Sequence, residues 1–231
     1  MTQKIAPVDL VVPVKALHAA KTRLRGAADG GLGEPAAHAR LALALAHDTV
    51  AAVLGCAAVR HLLVVSSDPV VAAELAAVGV EVVPDGPVPG LNPAYRRGAA
   101  LLRGRDPNAV VGALQADLPA LHPEELCGAL AAALTLFGTD FDGELPIIRR
   151  AFCADADGTG TTLLLAAPGT PLEPLFGDGS AARHRASGAA ELVGDWPGLR
   201  RDVDTSADLG QAVDLGLGVH TRGVLTRTAA S

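Results

Sequence analysis

An α/β fold with a mostly parallel central sheet flanked by helices is the architecture this sequence predicts, and three observations predict it. Short runs of strand-forming residues alternate with longer helical segments along the chain. The first four of those runs are predominantly apolar, the pattern of strands covered on both faces. The 231 residues, 49% of them hydrophobic, suffice for one substantial core, read here as a single domain over 1–231.

The elements follow in order. Val8–Val12 is a strand that ends at Pro13, and a polar loop runs on to Gly33. Residues 36–54 have helical spacing, with Leu43, Val50 and Leu54 on one face and Ala46 and Val53 beside them. His61–Ser66 is a buried strand, and Pro69 opens a helix to Val78, since proline suits a first helical turn. Val80–Val83 is a strand closed by a Pro/Gly-rich segment, and Asn92–Leu102 a helix. Ala109–Gln115 is a strand stopped at Asp117-Leu118-Pro119, and His122–Leu136 a helix. Phe137–Arg150 has no clear period. Thr161–Ala166 is a strand, Ser180–Ala190 a helix and Ala207–Leu215 the final helix. No repeat or linker interrupts the series, so the Gly/Pro-rich stretch 84–93 is read as a site loop.

Composition removes several function classes. Lys plus Arg number 19 against 25 Asp plus Glu, a net charge of −6, so bulk charge argues against a nucleic-acid partner. Aromatics are only 3%, too few for a base-stacking platform. No apolar run approaches the ~20 residues that span a bilayer, so no membrane partner is expected. Residues 1–14 lack a long apolar core and a small-residue cleavage site, so no signal peptide is expected and the cytoplasm is the compartment read. Cys56, Cys127 and Cys153 match neither a disulfide framework nor a zinc pattern, and are read as small hydrophobes in a reducing compartment.

In open α/β sheets ligands sit beyond the carboxyl ends of the strands, so the residues there are the candidates. After the first strand come Lys15, Lys21, Arg23 and Arg25, and the chain has one other lysine, Lys4. The functional reading is a polyphosphate clamp, with Lys as point charge and Arg as fork; an ordinary solvated loop is equally compatible. The segment is not a Walker loop. Asp117, at the end of the strand 109–115, suits a hard divalent cation or a turn. Asp155–Thr162 (DADGTGTT) offers N–H groups and hydroxyls to an anion, or is simply a hairpin turn. Its DxDG start lacks the terminal glutamate of a calcium loop. Ser180 fits a helix N-cap, with Gly177 and Gly179 leaving the approach open. His184 lies one turn on, more readily a capping or surface residue than a ligand contact. Asp202 and Asp204 share a side if their segment is extended, as metal ligands or capping acids. Thr205 or Ser206 would cap the final helix, with Asp208 in its first turn. GxSxG, HExxH, CxxC and GxGxxG are all missing from the sequence.

The pieces PVKxLxxAKTRL, SSD, GLNxA, LQADLPAL, ADxxGTGTT, FGxxSxxxH and RRDVDTxxDL occur in that order from about residue 8 to residue 216. Each alone is weak; seven in order are specific. Together they resemble the phosphoenolpyruvate / 2-phospho-L-lactate guanylyltransferases of F-420 (deazaflavin coenzyme) biosynthesis. The resemblance implies a single Rossmann-like nucleotidyltransferase domain, similar to the molybdenum-cofactor guanylyltransferases and sugar-nucleotide pyrophosphorylases. It implies that Lys15 and Lys21, with Arg23, grip the GTP phosphates, with Lys15, Lys21 and Asp117 as the catalytic set. Ser67, Asp68, Gly90, Leu91 and Asn92 would line base and ribose. Asp117, Asp202 and Asp204 would bind Mg2+. Thr162, Gly177 and Ser180 would hold the carboxylate of the small phospho-acid. The stretch 137–150 is longer than the family's usual link, and is read as an insertion, a lip over the site or a dimer contact.

The chemistry implied fits what the sequence lacks. A phosphate oxygen of the acid would attack the α-phosphorus of GTP. A phosphate monoester is already mostly dianionic at neutral pH, with its second pKa near ~6, so no general base is needed. What is needed is cancelled repulsion and in-line placement. Partners expected are therefore GTP and a small phospho-acid. A homodimer is one arrangement compatible with the residues. The Ala/Gly/Arg-rich, lysine-poor composition suggests a GC-rich bacterial genome, and the resemblance then implies phosphoenolpyruvate, the usual acceptor among the family's bacterial members, with 2-phospho-L-lactate and 3-phosphoglycerate as the alternatives. A sugar-nucleotide or molybdopterin nucleotidyltransferase would want a glycine-rich first loop, which 13–24 lacks. A nucleotide sensor without catalysis would not need both Asp117 and Asp202.

Overall fold

Four parallel strands carry the site. In the computed structural model, which describes residues 7–18, 20–138 and 148–228, β1 (Val8–Pro13) pairs in parallel with β2 (Val59–Val65) and β4 (Val110–Leu114), and β2 with β3 (Glu81–Val83). β6 (Thr161–Ala166) then runs antiparallel to β4 and to β5 (Arg150–Ala154), and β7 (Ala190–Glu191) closes the sheet in the order β3-β2-β1-β4-β6-β5-β7. The mostly parallel sheet is as expected. Strands β5 and β7 lie outside the elements read from sequence. β5 begins at the end of the expected insertion 137–150, a stretch without a clear period of which 139–147 lie outside the described residues, and is only five residues long. Both it and β6 have buried patterns without alternation.

Alternation across the sheet separates two cores. Val8, Leu10, Val12, Leu114, Leu163 and Leu165 point to the layer of α1 (Pro35–Gly55), α2 (Pro69–Ala77) and α4 (Pro123–Gly138). Val11, Val111, Phe152 and Leu164 point to the layer of α3 (Leu91–Arg105) and α5 (Ser180–Ala186). Gly98 lets α3 approach β1: a Cβ there would stand 2.4 Å from Val11 Cγ1. A third cluster joins Leu41 and Leu45 of α1 to Leu209 and Ala212 of α7 (Ser206–Leu215), with Leu225 of α8 (Val219–Thr228) packed against it. The short α6 (Pro197–Arg200) precedes α7.

Several expectations are corrected. Helix α1 is buried nearly all round, because α4 and α8 pack on it as well as the sheet, and Leu54 is exposed. Helix α8 follows the helix read as final; buried Asp48 of α1 accepts its N–H groups at His220 (2.9 Å) and Thr221 (2.8 Å). α5 ends at Ala186, four residues early, and Gly188 turns the chain into β7. Cys56 and Cys127 form a disulfide, with their Cα atoms 5.7 Å apart; a separation of 71 residues gives no hint that the ends of α1 and α4 meet. Cys153 is free and buried, as read.

Candidate active site

The loop leaving β1 is the first wall. It turns back over the sheet because Asp68, the N-cap of α2, accepts the Leu17 N–H at 2.9 Å while also accepting Val70 N–H. The Asp68 carboxylate is thereby committed to backbone groups, which hold it below the usual carboxylate range, Leu17 first among them. It positions the lysine loop and does not line the cavity. Lys21 stands at φ 51°, in the left-handed region where a side chain costs ~1–2 kcal/mol. That backbone turns its ammonium inward, where it bonds Asp117 and, at 2.5 Å, Asp204. Burial opposes the Lys21 charge, but Asp117 and Asp204 outweigh it and hold the pKa above its usual value.

The second wall is the loop after β4. Buried Thr49 of α1 accepts the Leu118 N–H at 2.9 Å, and Val203 N–H donates to the Asp117 carbonyl at 3.0 Å. This second bond brings the segment 201–205 to β4 and sets Asp202 and Asp204 beside Asp117. The segment is a loop, not the extended strand entertained from sequence. Thr205 caps α7 in a capping box with Asp208.

A cavity of about 290 Å³ lies at the carboxyl ends of β1 and β4. Lys15, Lys21, Asp117, Asp202 and Asp204 all line it, with Leu91 and Gly177. An adjoining cavity of about 330 Å³ shares Gln115, Gly177, Asp178, Asp202 and Asp204 with the first, and adds Arg23, Thr161, Ser180 and Arg201. The cations of the first loop therefore face acids drawn from two distant segments.

Charge in this site is unbalanced. Burial and the neighbouring Asp117 charge push Asp202 up to about 8, against a lesser pull from Lys21. Among the described residues its carboxylate has no hydrogen-bond or ion-pair partner, and Asp117 Oδ1 is buried without one. Burial raises Asp204, but Lys21, with Arg23 and Lys15 behind it, outweighs this and holds it below the usual range. Among the described residues no three His, Cys, Asp or Glu side chains form a ready cation cage. The donor set suits a hard cation that takes one or two carboxylates and completes its shell with phosphate oxygens.

Other candidates fall differently. Asn92 turns from the cavity and clamps Phe176, accepting its N–H at 2.8 Å and donating to its carbonyl at 3.1 Å. Gly90, at φ 120°, is the N-cap of α3. Ser67 accepts the Asp85 N–H. The Thr162 side chain is fully buried in the sheet and lines neither cavity; strand alternation presents Thr161 instead. The expected anion cradle at 155–162 is a self-closed turn, because Asp155 accepts the N–H groups of Thr159 (2.9 Å) and Gly160 (2.7 Å). Ser180 is the first residue of α5 rather than its N-cap, which is Gly179 at φ 68°. His184 is a fully buried core residue, not a capping or surface one. Gln115 and Asp178 escaped the sequence reading. The strand-end rule that found Asp117 pointed equally to Gln115, whereas Asp178 carries no signal of its own.

No protein-family model matches the chain. The phosphoenolpyruvate guanylyltransferase of Geodermatophilus obscurus is 53% identical over 216 residues, 94% of this chain and 93% of that one. That of Salinispora arenicola is 53% identical over 221 residues, 96% and 94%. Among solved structures, a protein described as a nucleotide-diphospho-sugar transferase from Desulfovibrio desulfuricans G20 superposes with a TM-score of 0.66 at 17% identity, covering 97% of this chain and 96% of that one. A 4-diphosphocytidyl-2C-methyl-D-erythritol synthase gives 0.54 at 14% identity, covering 91% and 99%. These structural likenesses concern the fold alone, an α/β nucleotidyltransferase-like domain.

Proposed function

Because the chain belongs to the phosphoenolpyruvate guanylyltransferase family, we propose that it transfers GMP from GTP to the phosphate of phosphoenolpyruvate and releases pyrophosphate. We assign the product to F-420 coenzyme biosynthesis and the reaction to the cytoplasm. The observation that carries the reading is the convergence of Lys15 and Lys21 on Asp117, Asp202 and Asp204 in one cavity. A phosphate oxygen of the acid forms the new bond to the α-phosphorus as the bond to pyrophosphate breaks. Two polyanions must meet for this, so Lys15, Lys21 and Arg23 offset their repulsion and fix the triphosphate. Asp117 and Asp202 would hold Mg2+, consistent with the unpartnered Asp117 Oδ1 and with an Asp202 carboxyl that has no cation beside it sufficient to offset its burial next to Asp117. When bound, that ion supplies positive charge to the phosphates. Gly177 and Ser180, in the adjoining cavity, are assigned to the carboxylate of the acid.

The test pairs each nucleoside triphosphate with phosphoenolpyruvate, 2-phospho-L-lactate and 3-phosphoglycerate, and follows pyrophosphate, with the downstream deazaflavin acceptor and its transferase supplied to trap a labile product. Release from GTP that requires both Mg2+ and phosphoenolpyruvate is the expected result. Faster release with another acid reassigns the acceptor, and release without any acid removes the transfer reaction.

A further inference from the structure

We propose that His184 is a positioning residue for the acid substrate, joining the two walls of the cavity that Gly177 and Ser180 line. The inference rests on the reading of that cavity as the acid subsite. One wall is the end of the 155–161 turn, where Thr161 lines the cavity. The other is the 175–180 loop. The His184 ring lies between them, fully buried, with Nδ1 2.9 Å from Thr161 Oγ1 and Nε2 3.0 Å from the Leu175 nitrogen. An amide N–H can only donate, so Nε2 accepts, Nδ1 carries the proton and the Thr161 hydroxyl receives it. Burial, with Arg183 and Arg150 nearby, drives the ring down to about 4, so it is neutral and keeps both roles.

The two residues before Gly177 are held at both backbone groups. Leu175 N–H goes to His184, and the Leu175 carbonyl accepts Arg183 at 3.0 Å and 3.2 Å. Both backbone groups of Phe176 go to Asn92. The Phe176 ring packs between Tyr95 and His184, at centroid distances of 4.4 Å and 5.3 Å. Arg183 and Asn92 fix the loop alone. Among the described residues, His184 is the side chain that hydrogen-bonds to both walls; the Ala181 N–H, donating to the Thr159 carbonyl at 3.1 Å, ties them at the backbone near one end, and His184 sets their separation on the Thr161 and Leu175 side. The width of the cavity decides how well a small rigid acid meets its donors, and misplacement there is felt in binding of that substrate before the nucleotide.

The test is steady-state kinetics with each substrate varied at saturating levels of the other, on His184→Leu, His184→Gln, Thr161→Val and Ser180→Ala. Gln can place an oxygen where Nε2 accepts Leu175 N–H; Leu cannot. Thr161→Val keeps the shape and removes one hydroxyl, so it reports even if His184→Leu does not fold. The expected result is a rise of about tenfold in the KM for phosphoenolpyruvate in His184→Leu. Thr161→Val should rise severalfold, His184→Gln should largely recover, and the KM for GTP should stay within about twofold throughout. A lower Tm with both KM values unchanged, or both KM values rising together, overturns the proposal. If Ser180→Ala raises the acid KM while the His184 and Thr161 variants do not, the subsite stands and the positioning role falls. If none of the four moves it, the subsite reading fails and takes this inference with it.

Discussion

Asp202→Asn should make the metal-free protein more stable while stopping its reaction. In the fold the Asp202 carboxyl is pushed up to about 8 from an ordinary 3.8 by burial and by Asp117. Between those values the folded chain keeps a proton that the unfolded chain gives up. Stability is therefore greatest below the unfolded value and falls as pH climbs toward about 8, by up to ~1.4 kcal/mol per pH unit. At pH 7 this caps the penalty at ~4 kcal/mol, and partial solvent access and relaxation reduce it, so we expect a gain of ~1–3 kcal/mol from the neutral amide. For a domain of this size that is a Tm rise of roughly 3–10 °C. The assay is thermal unfolding of parent and variant in EDTA, near pH 8 and at about pH 4.5, where the margin should shrink because the parent's Asp202 is by then protonated in the fold. Turnover with Mg2+ should fall ~100-fold or more, as a cation ligand worth several kcal/mol is lost. A variant no more stable than its parent near pH 8, or a margin that ignores pH, would refute the reasoning.

Three further outcomes are expected. Asp117→Asn should reduce pyrophosphate release by ~1,000-fold or more with far-UV circular dichroism unchanged, since only charge is removed; near-normal turnover would take Asp117 out of the site. Lys21→Met should raise the KM for GTP by ~100-fold and lower the Tm, because Asp117 and Asp204 both lose their partner; unchanged kinetics would return the loop to a solvated role. Reducing the Cys56–Cys127 disulfide, which closes a 71-residue loop, should cost ~2–4 kcal/mol. Dithiothreitol should lower the Tm of the parent and leave that of Cys56→Ala with Cys127→Ala unmoved.

The sequence by itself determined five of the seven strands and the chemistry at the sheet's edge. Strands β1, β4 and β6 and the carboxyl half of β2 announce themselves because buried strands are predominantly apolar runs. Lys15, Lys21 and Asp117 stand out because strand ends are where such sheets hold ligands. Local signals of this kind survive in one dimension. The tertiary structure alone decided which polar groups were already spent. Asp68 and Asn92 read as candidate ligands, the 155–162 segment as an anion cradle or a turn, and His184 as more readily a capping or surface residue, yet Asp68, Asn92, Asp155 and His184 are each committed to backbone or hydroxyl groups, Asn92 and His184 across 84 and up to 23 residues of chain. It likewise chose Thr161 over Thr162, since a one-residue step in a strand reverses the face, and joined Cys56 to Cys127. Hydrogen bonds between distant segments leave no periodicity, so no reading of spacing could have found them.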